Sequence, residues 1–178
     1  MVYRPQKKNM LELGVSGHYG QDKYLVTGNA NKTVPSQGMA VDFKLDVSMV
    51  TLVGSAFSGD NIDVWATVTP GVRSGAGTPP ATVDAISTKG GWVQLQVTPV
   101  AGWQLLLGGG MEKPTVGDLP VSATTVKENQ QLSAGLVVNV APKWRAALEY
   151  TEYKTTYNDT TPVKQTASQV ELSTLYAF

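Results

Sequence analysis

Cysteine and histidine, on which many catalytic and metal sites depend, are almost missing. The chain has no cysteine and one histidine in 178 residues. The absence of cysteine excludes a disulfide framework and a thiolate metal site. A single histidine leaves few candidates for a nucleophile–base pair. We therefore expect neither enzymatic activity nor a bound metal or other cofactor.

Excess charge and long apolar runs are missing too. The 14 Lys and Arg balance the 14 Asp and Glu, whereas a nucleic-acid binder carries a basic excess, so we expect no nucleic-acid partner. No apolar stretch reaches the roughly 18 residues that suggest a transmembrane helix. Residues 1–8 (MVYRPQKK) have no apolar core of an export signal. The expectation is either a mature form or part of a longer protein that begins upstream.

Alternation between apolar and polar residues is the main signal that is present. Eighteen glycines with much Thr, Ser and Val favour strands joined by turns. Residues 39–48 alternate most clearly, with Val41, Phe43 and Leu45 against Asp42, Lys44 and Asp46. Eight strands are predicted: 10–20, 39–48, 50–59, 90–98, 103–112, 130–140, 143–157 and 165–178. The predicted fold is all-β and antiparallel.

The connections between these strands alternate in length. Tight turns are predicted at residues 48–49, 98–102 and 141–143, and long loops at about 21–38, 60–89, 113–129 and 158–164. Residues 1–9 form a lead-in to a single domain that spans 1–178. Long loops at one end and short turns at the other are typical of outer-membrane β-barrels. The prediction is a bacterial outer-membrane protein with extracellular loops and both termini in the periplasm.

Alternation assigns each strand a lumen-facing and a lipid-facing side. The residues predicted to face the lumen are Glu12, His18, Asp42, Lys44, Asp46, Gln94, Gln96, Glu112, Arg145, Glu149 and Glu171. The residues predicted to face membrane lipid are Leu13, Val15, Val41, Phe43, Leu45, Val93, Leu95, Leu105, Leu107, Leu136, Leu148, Val170 and Leu172. His18 is interpreted as a polar wall residue and not as a base or a metal ligand.

Aromatic residues lie near both predicted ends of the strands. Trp103, Trp144, Tyr176 and Phe178 fall near the short turns, and Tyr19, Tyr153 and Tyr157 fall near the long loops. Such residues form interfacial girdles in membrane barrels. Tyr176 and Phe178 also end the last strand as a carboxyl-terminal signal for the barrel-assembly machinery.

Four segments resemble a known family. Residues 14–20 (GVSGHYG), 91–95 (GWVQL), 148–157 (LEYTEYKTTY) and 170–178 (VELSTLYAF) are similar to the carboxyl-terminal half of DcaP-like trimeric outer-membrane porins. The resemblance implies a sixteen-stranded barrel for small, often anionic solutes, a helical segment before the barrel, and a homo-oligomer. This chain has only eight strand candidates and no helical segment. The resemblance therefore implies half a barrel or a small barrel derived from one half.

The choice between those two architectures depends on the inward side chains. A closed eight-stranded barrel is filled by side chains and leaves almost no pore. An open sheet leaves two edges in lipid, where each unpaired backbone group costs several kcal/mol. Several inward residues are small, namely Gly14, Ser16, Ser55, Gly108, Gly110 and Ser133. Their size favours a half-barrel that a second copy or a companion half completes.

The predicted function is passive diffusion of small hydrophilic solutes through an outer-membrane channel. One alternative is a closed eight-stranded barrel with a structural or surface-binding role, and another is a soluble all-β ligand-binding protein. The acidic excess of the lumen side predicts a mild cation preference, against the anionic solutes that the resemblance implies. Residues 71–88 form either a loop folded into the pore or a mobile outer loop. A calcium site at Asp60, Asn61 and Asp63 is the less favoured interpretation of those residues.

Overall fold

A computed structural model describes residues 9–28, 30–62, 71–74, 80, 82–115, 125–161 and 163–177. Within these ranges the chain forms ten strands and no helix. The strands are β1 (Met10–Val26), β2 (Ala30–Val47), β3 (Val50–Asp60), β4 (Val72–Ser74), β5 (Val83–Ala85), β6 (Ser87–Val97), β7 (Trp103–Pro114), β8 (Val126–Ala141), β9 (Trp144–Tyr157) and β10 (Lys164–Tyr176). No helix in the described ranges has the length and apolar character needed to cross a membrane.

Eight of the strands form one antiparallel sheet. Their order is β1-β2-β3-β6-β7-β8-β9-β10, so each strand pairs with the next strand of this sheet along the chain. Strands β4 and β5 form a separate small hairpin. The short connections after β2, β6 and β8 lie at one end of the sheet, here called the turn end, and the others lie at the opposite loop end. The predicted all-β antiparallel fold and the eight strands of the large sheet are confirmed.

The prediction of a long loop at residues 21–38 was wrong. Strand β1 continues to Val26 and β2 starts at Ala30, and their register is unbroken from the pair Met10–Asp46 to the pair Val26–Ala30. Gly28 has φ 85° in the turn between them. The alternation ended too early because the apolar face becomes polar here, as at Lys23 and Gln37. Backbone pairing with a neighbouring strand continues without the apolar pattern.

The other predicted loops are also shorter in the structure. Within 60–89, β4 and β5 form the hairpin and β6 begins at Ser87. Strand β7 continues to Pro114, β8 begins at Val126, and β10 begins at Lys164. Residues 63–70, 75–79 and 116–124 lie outside the described ranges.

The sheet is open, and the alternative of a closed eight-stranded barrel was wrong. Strands β1 and β10 are its two edges and do not pair with each other in the described residues. A closed barrel of this size must fill its interior with side chains. The polar side of this sheet carries small residues such as Gly14, Ser16 and Ser133. They provide too little bulk for such an interior.

Burial in this sheet is the reverse of that in a dry β-sandwich. Within the described residues the buried apolar side chains are Val34, Ile62, Val83 and Ile86, all at the loop end. Along the strands, apolar side chains are exposed, with Val15 at 80% and Leu172 at 75% of their area, while Asp46 on the opposite face is only 4% exposed. Side chains on the concave face of a curved sheet converge and shield each other. The pattern therefore indicates a sheet that curls around its polar face.

A candidate channel wall and an inward hairpin

The strand register aligns the two faces across all eight strands. The residues predicted to face a lumen lie on one side, here called the polar face, and those predicted to face lipid lie on the other, the apolar face. For example, Leu45 pairs with Leu52, and Leu52 pairs with Leu95. Because side chains alternate along a strand, a shift of one residue at any pairing would have mixed the two sets.

The aromatic residues near the strand ends are divided between the two faces, whereas the prediction placed all of them in the girdles. Trp103, Trp144 and Tyr176 lie on the apolar face at the turn end, where Trp144 pairs with Tyr176. Tyr19 lies on the apolar face nearer the loop end. Tyr153 and Tyr157 lie on the polar face, so their assignment to a girdle was wrong. Phe178, the end of the predicted carboxyl-terminal signal, lies outside the described residues.

The polar face carries a partly compensated charge cluster on β1 to β3. The Lys44 Nζ lies 3.1 Å from Asp46 Oδ2 and 3.5 Å from Glu12 Oε1. The Thr51 hydroxyl donates a hydrogen bond to Asp46 Oδ1. One ammonium group is shared by two carboxylates, so the cluster keeps a net negative charge.

The far side of the polar face carries two uncompensated carboxylates. Glu149 on β9 and Glu171 on β10 are direct cross-strand partners. The Thr151 hydroxyl donates to Glu149 Oε1 at 3.1 Å, and neither carboxylate forms an ion pair within the described residues. Like charges directly opposite each other destabilise a sheet. This repulsion falls when the two carboxylates are solvated or meet a cation.

Aromatic side chains cover glycines on the polar face, a feature that the predicted lumen set omitted. Phe57 pairs with Gly90, and a Cβ on Gly90 would lie 2.5 Å from the Phe57 ring. Trp92 likewise pairs with Gly110. A recess of about 580 Å³ lies beside these rings and is also lined by His18 and Asp42. Cross-strand glycine–aromatic pairs can be recognised only once the register is known.

The segment after β3 folds inward over the polar face. Asn61 has φ 53° and is fully buried, a backbone conformation that asparagine tolerates better than most residues. Its Nδ2 donates to Asp22 Oδ2 at 2.8 Å, its carbonyl accepts from Ser36 Oγ at 2.7 Å, and its Oδ1 accepts from Tyr24 at 3.4 Å. Asp22 and Tyr24 lie on β1 and Ser36 on β2, all on the polar face. Asn61 therefore fastens the loop across two neighbouring strands.

A small apolar cluster holds the hairpin in this position. Ile62 and Ile86 are buried, as are Val83 of β5 and Val34 on the polar face of β2. A Cβ on Gly38 would lie 3.2 Å from Ile62, so the bare glycine makes room for that side chain. The Ile86 amide donates to the Gly71 carbonyl, and the Thr27 amide donates to the Pro80 carbonyl. The hairpin thus lies against the loop end of β2 on the polar face.

Three charges close the contact between the hairpin and β2. The Lys32 Nζ lies 2.7 Å from Asp84 Oδ1, and the Arg73 guanidinium lies 3.6 Å from Asp84 Oδ2. The hydrogen bond and charge of Lys32, with a smaller contribution from Arg73, lower the pKa of Asp84 below its ordinary value near 3.8.

This shift predicts how the hairpin responds to acid. Because folding lowers the Asp84 pKa, its contribution is complete above the ordinary value and is lost only as the pH falls through the lowered pKa. We expect amide-exchange protection of residues 83–86 to stay constant between about pH 8 and pH 5 after correction for intrinsic exchange. Loss of protection between pH 6 and pH 5 would show that Asp84 does not hold the hairpin. The control is Lys32→Met, which removes the ion-pair partner of Asp84.

The metal-site alternative gains nothing from the described residues. Asp60 accepts hydrogen bonds from Gln37 and Ser87, while Asn61 bonds β1 and β2. Asp63 lies outside the described residues. No group of three or more His, Cys, Asp or Glu with metal-binding geometry occurs within the described part of the chain.

Comparisons of the chain with family models, curated proteins and solved structures gave no match.

Proposed function

We propose that this sheet is part of the wall of an outer-membrane channel through which small hydrophilic solutes diffuse passively. Its apolar face contacts lipid, and its polar face lines a water-filled pore. The observation that carries the proposal is the reversed burial of the register-aligned faces. Exposed Leu or Val side chains lie on the apolar face of every strand of the sheet except β3, where Leu52 is half-buried, while Asp46, Thr51 and Thr151 are buried on the other face. A lipid exterior and a wet interior favour this arrangement.

The extent of the apolar face along each strand supports a membrane setting. On β2 it runs from Val47 to Met39 and is followed by Gln37, and on β9 it runs from Trp144 to Tyr150 and is followed by Glu152. About eight residues at 3.3 Å each give roughly 26 Å along the strand. A strand tilt near 40° reduces the height across the membrane to roughly 20 Å. Interfacial aromatic side chains extend this height toward the band of about 25 Å that is typical of membrane barrels.

A second sheet would complete the wall along the two free edges. Strands β1 and β10 expose Leu13 and Val15, and Val170 and Leu172, on the apolar face at their edges. Unpaired backbone groups there would each cost several kcal/mol in hydrocarbon. A companion half or a second copy that pairs along both strands removes this cost. The resulting barrel of about sixteen strands would have an aqueous interior.

The inward hairpin narrows this pore at the loop end. It lies on the polar face of β2, where Lys32, Arg73 and Asp84 meet. A charged group at a narrow point affects passing ions more than the same group on a wide wall. The hairpin thereby suits a channel that discriminates between small solutes.

Planar-bilayer recording of the assembled protein tests this function. We expect stepwise, ohmic conductance, and a native mass greater than that of one chain of 18.9 kDa. A folded, membrane-inserted assembly without conductance would contradict the proposal. A monodisperse protein in detergent-free buffer would favour a soluble binding protein instead.

Ion preference should depend on the carboxylate pair of the polar face. We expect Glu149→Gln and Glu171→Gln, separately and together, to lower the cation-to-anion permeability ratio, because each removes an uncompensated lumen charge. Each single change should also stabilise the sheet by roughly 0.2–1 kcal/mol through relief of the like-charge pair. Reversal potentials in a salt gradient measure the ratio. Glu152→Gln, on the opposite face of β9, is the matched control and should leave the ratio unchanged.

A further inference from the structure

The apolar face has a groove that has no role in diffusion through the channel. Its volume is about 960 Å³, and its lining includes Val93, Gly109, Met111 and Leu132. These residues share the apolar face of β6, β7 and β8. Gly109 lies between Val93 and Leu132 in the register, so the absence of a side chain there forms the floor of the groove.

Lysines line the loop-end rim of this groove. Lys89 of β6 and Lys113 of β7 are direct cross-strand partners, and Lys154 of β9 lines the groove nearby. Lys113 lies 3.4 Å from Glu128, and Lys154 lies 2.8 Å from Glu152. Lys89 forms no ion pair within the described residues. Three lysines and two glutamates leave the rim a single net positive charge, and Lys89 is the lysine whose charge is not offset.

The position of the rim is that of a membrane interface under the proposed function, on which this inference rests. On β6 the apolar face ends at Gly91 and Lys89 follows, and on β7 it ends at Met111 and Lys113 follows. Like charges directly opposite each other destabilise a sheet, and Glu128 offsets only that of Lys113. Directly below them is an apolar groove in the surface that faces hydrocarbon.

We propose that the groove binds an acylated lipid with a phosphate headgroup. The phosphate is held between Lys89 and Lys113, and an acyl chain lies over Gly109 between Val93 and Leu132. A protein partner fits less well, because protein interfaces are depleted in lysine at their centres and would have to bury the unpaired charge of Lys89. Lysines near a membrane surface attract anionic lipid, and each contributes a measurable share of the affinity.

Native mass spectrometry of the assembled protein in detergent tests this site with three probes. These are phosphatidic acid, diacylglycerol with the same chains, and inorganic phosphate. We expect retained phosphatidic acid, at least tenfold weaker retention of diacylglycerol, and no displacement of the lipid by millimolar phosphate. The double variant Lys89→Gln/Lys113→Gln should weaken phosphatidic acid binding by roughly 30-fold, from two lysines at the interface.

Two further variants separate the lipid site from general effects. Lys23→Gln removes a lysine on the apolar side of β1, outside the groove, and should change nothing. Gly109→Leu fills the floor and should also abolish retention; a Cβ there meets its nearest atom, the Gln131 carbonyl oxygen, at 3.5 Å, so the chain should still fold. Unchanged phosphatidic acid binding in both groove variants would overturn the proposal. Three other outcomes would also overturn it: diacylglycerol is retained as well as phosphatidic acid, inorganic phosphate displaces the lipid, or the variants change the number of subunits and not the number of bound lipids. The channel conductance of the same variants should equal that of the parent protein. A parent protein that does not conduct would refute the channel and would leave the number of bound lipids as a separate result.

Discussion

Leu95→Arg should destabilise the protein in a bilayer by about 2–4 kcal/mol, the cost of a cationic side chain on the lipid face near mid-membrane. Leu95 lies at the centre of the apolar face on β6, between Leu52 of β3 and Leu107 of β7. An arginine there would have to leave hydrocarbon or carry water with it. Urea titration of the protein in lipid vesicles, followed by the gel shift of unheated samples, measures the change in the free energy of unfolding.

Gln94→Arg is the matched control for this substitution. Gln94 precedes Leu95 on the same strand and lies on the polar face at nearly the same depth. We expect a change within about 0.5 kcal/mol, as at ordinary solvated positions. Equal effects of the two substitutions would contradict the opposite environments of the two faces. A harmless Leu95→Arg would mean that water covers the apolar face.

Asn61→Ala should release the inward hairpin. The change removes a buried amide that bonds Asp22 and Tyr24, and an unsatisfied buried polar group costs about 1–3 kcal/mol. Alanine at φ 53° adds about 1–2 kcal/mol of backbone strain. The hairpin should therefore lose most of its protection against amide exchange, and the single-channel conductance should rise.

Asn61→Gly separates the two contributions. Glycine adopts the positive φ without strain, so this variant loses only the side-chain bonds and should lie between the parent and alanine. Exchange at Leu105 and Leu107 on β7, far from the hairpin, should stay unchanged in both variants. A conductance that does not respond to hairpin release would refute its role as a constriction, while the strand fold would still stand.

The sequence predicted the strands well wherever one face is apolar. Val41, Phe43 and Leu45 mark their strand because every second side chain of a strand lies on the same face. The same reasoning failed at residues 21–38, where the apolar face gives way to polar side chains such as Lys23 and Gln37 while backbone pairing continues the strands. The girdle assignment failed for Tyr153 because it used only the position near a strand end, whereas alternation from Glu149 places Tyr153 on the polar face.

Closure and the hairpin contacts depend on distant parts of the chain. The position of Asn61 can be understood only with Asp22, Tyr24 and Ser36, which lie on two other strands. Neither β1 nor β10 carries a pattern that indicates whether it pairs with the other. The inward fold of residues 71–88 stayed one of two hypotheses for the same reason: Val83 and Ile86 could not be matched to Val34 and Ile62 before the register was known.

Collision accessibility of nitroxide labels along β2 tests most directly whether hydrocarbon touches the apolar face. The chain has no cysteine, so single cysteines at positions 40 to 46 can be labelled in vesicles without background. We predict a period of two: labels at 41, 43 and 45 collide with oxygen dissolved in lipid, and labels at 42, 44 and 46 collide with a water-soluble nickel reagent. Labels at 41, 43 and 45 that are shielded from both reagents, or reached by nickel, would contradict the account.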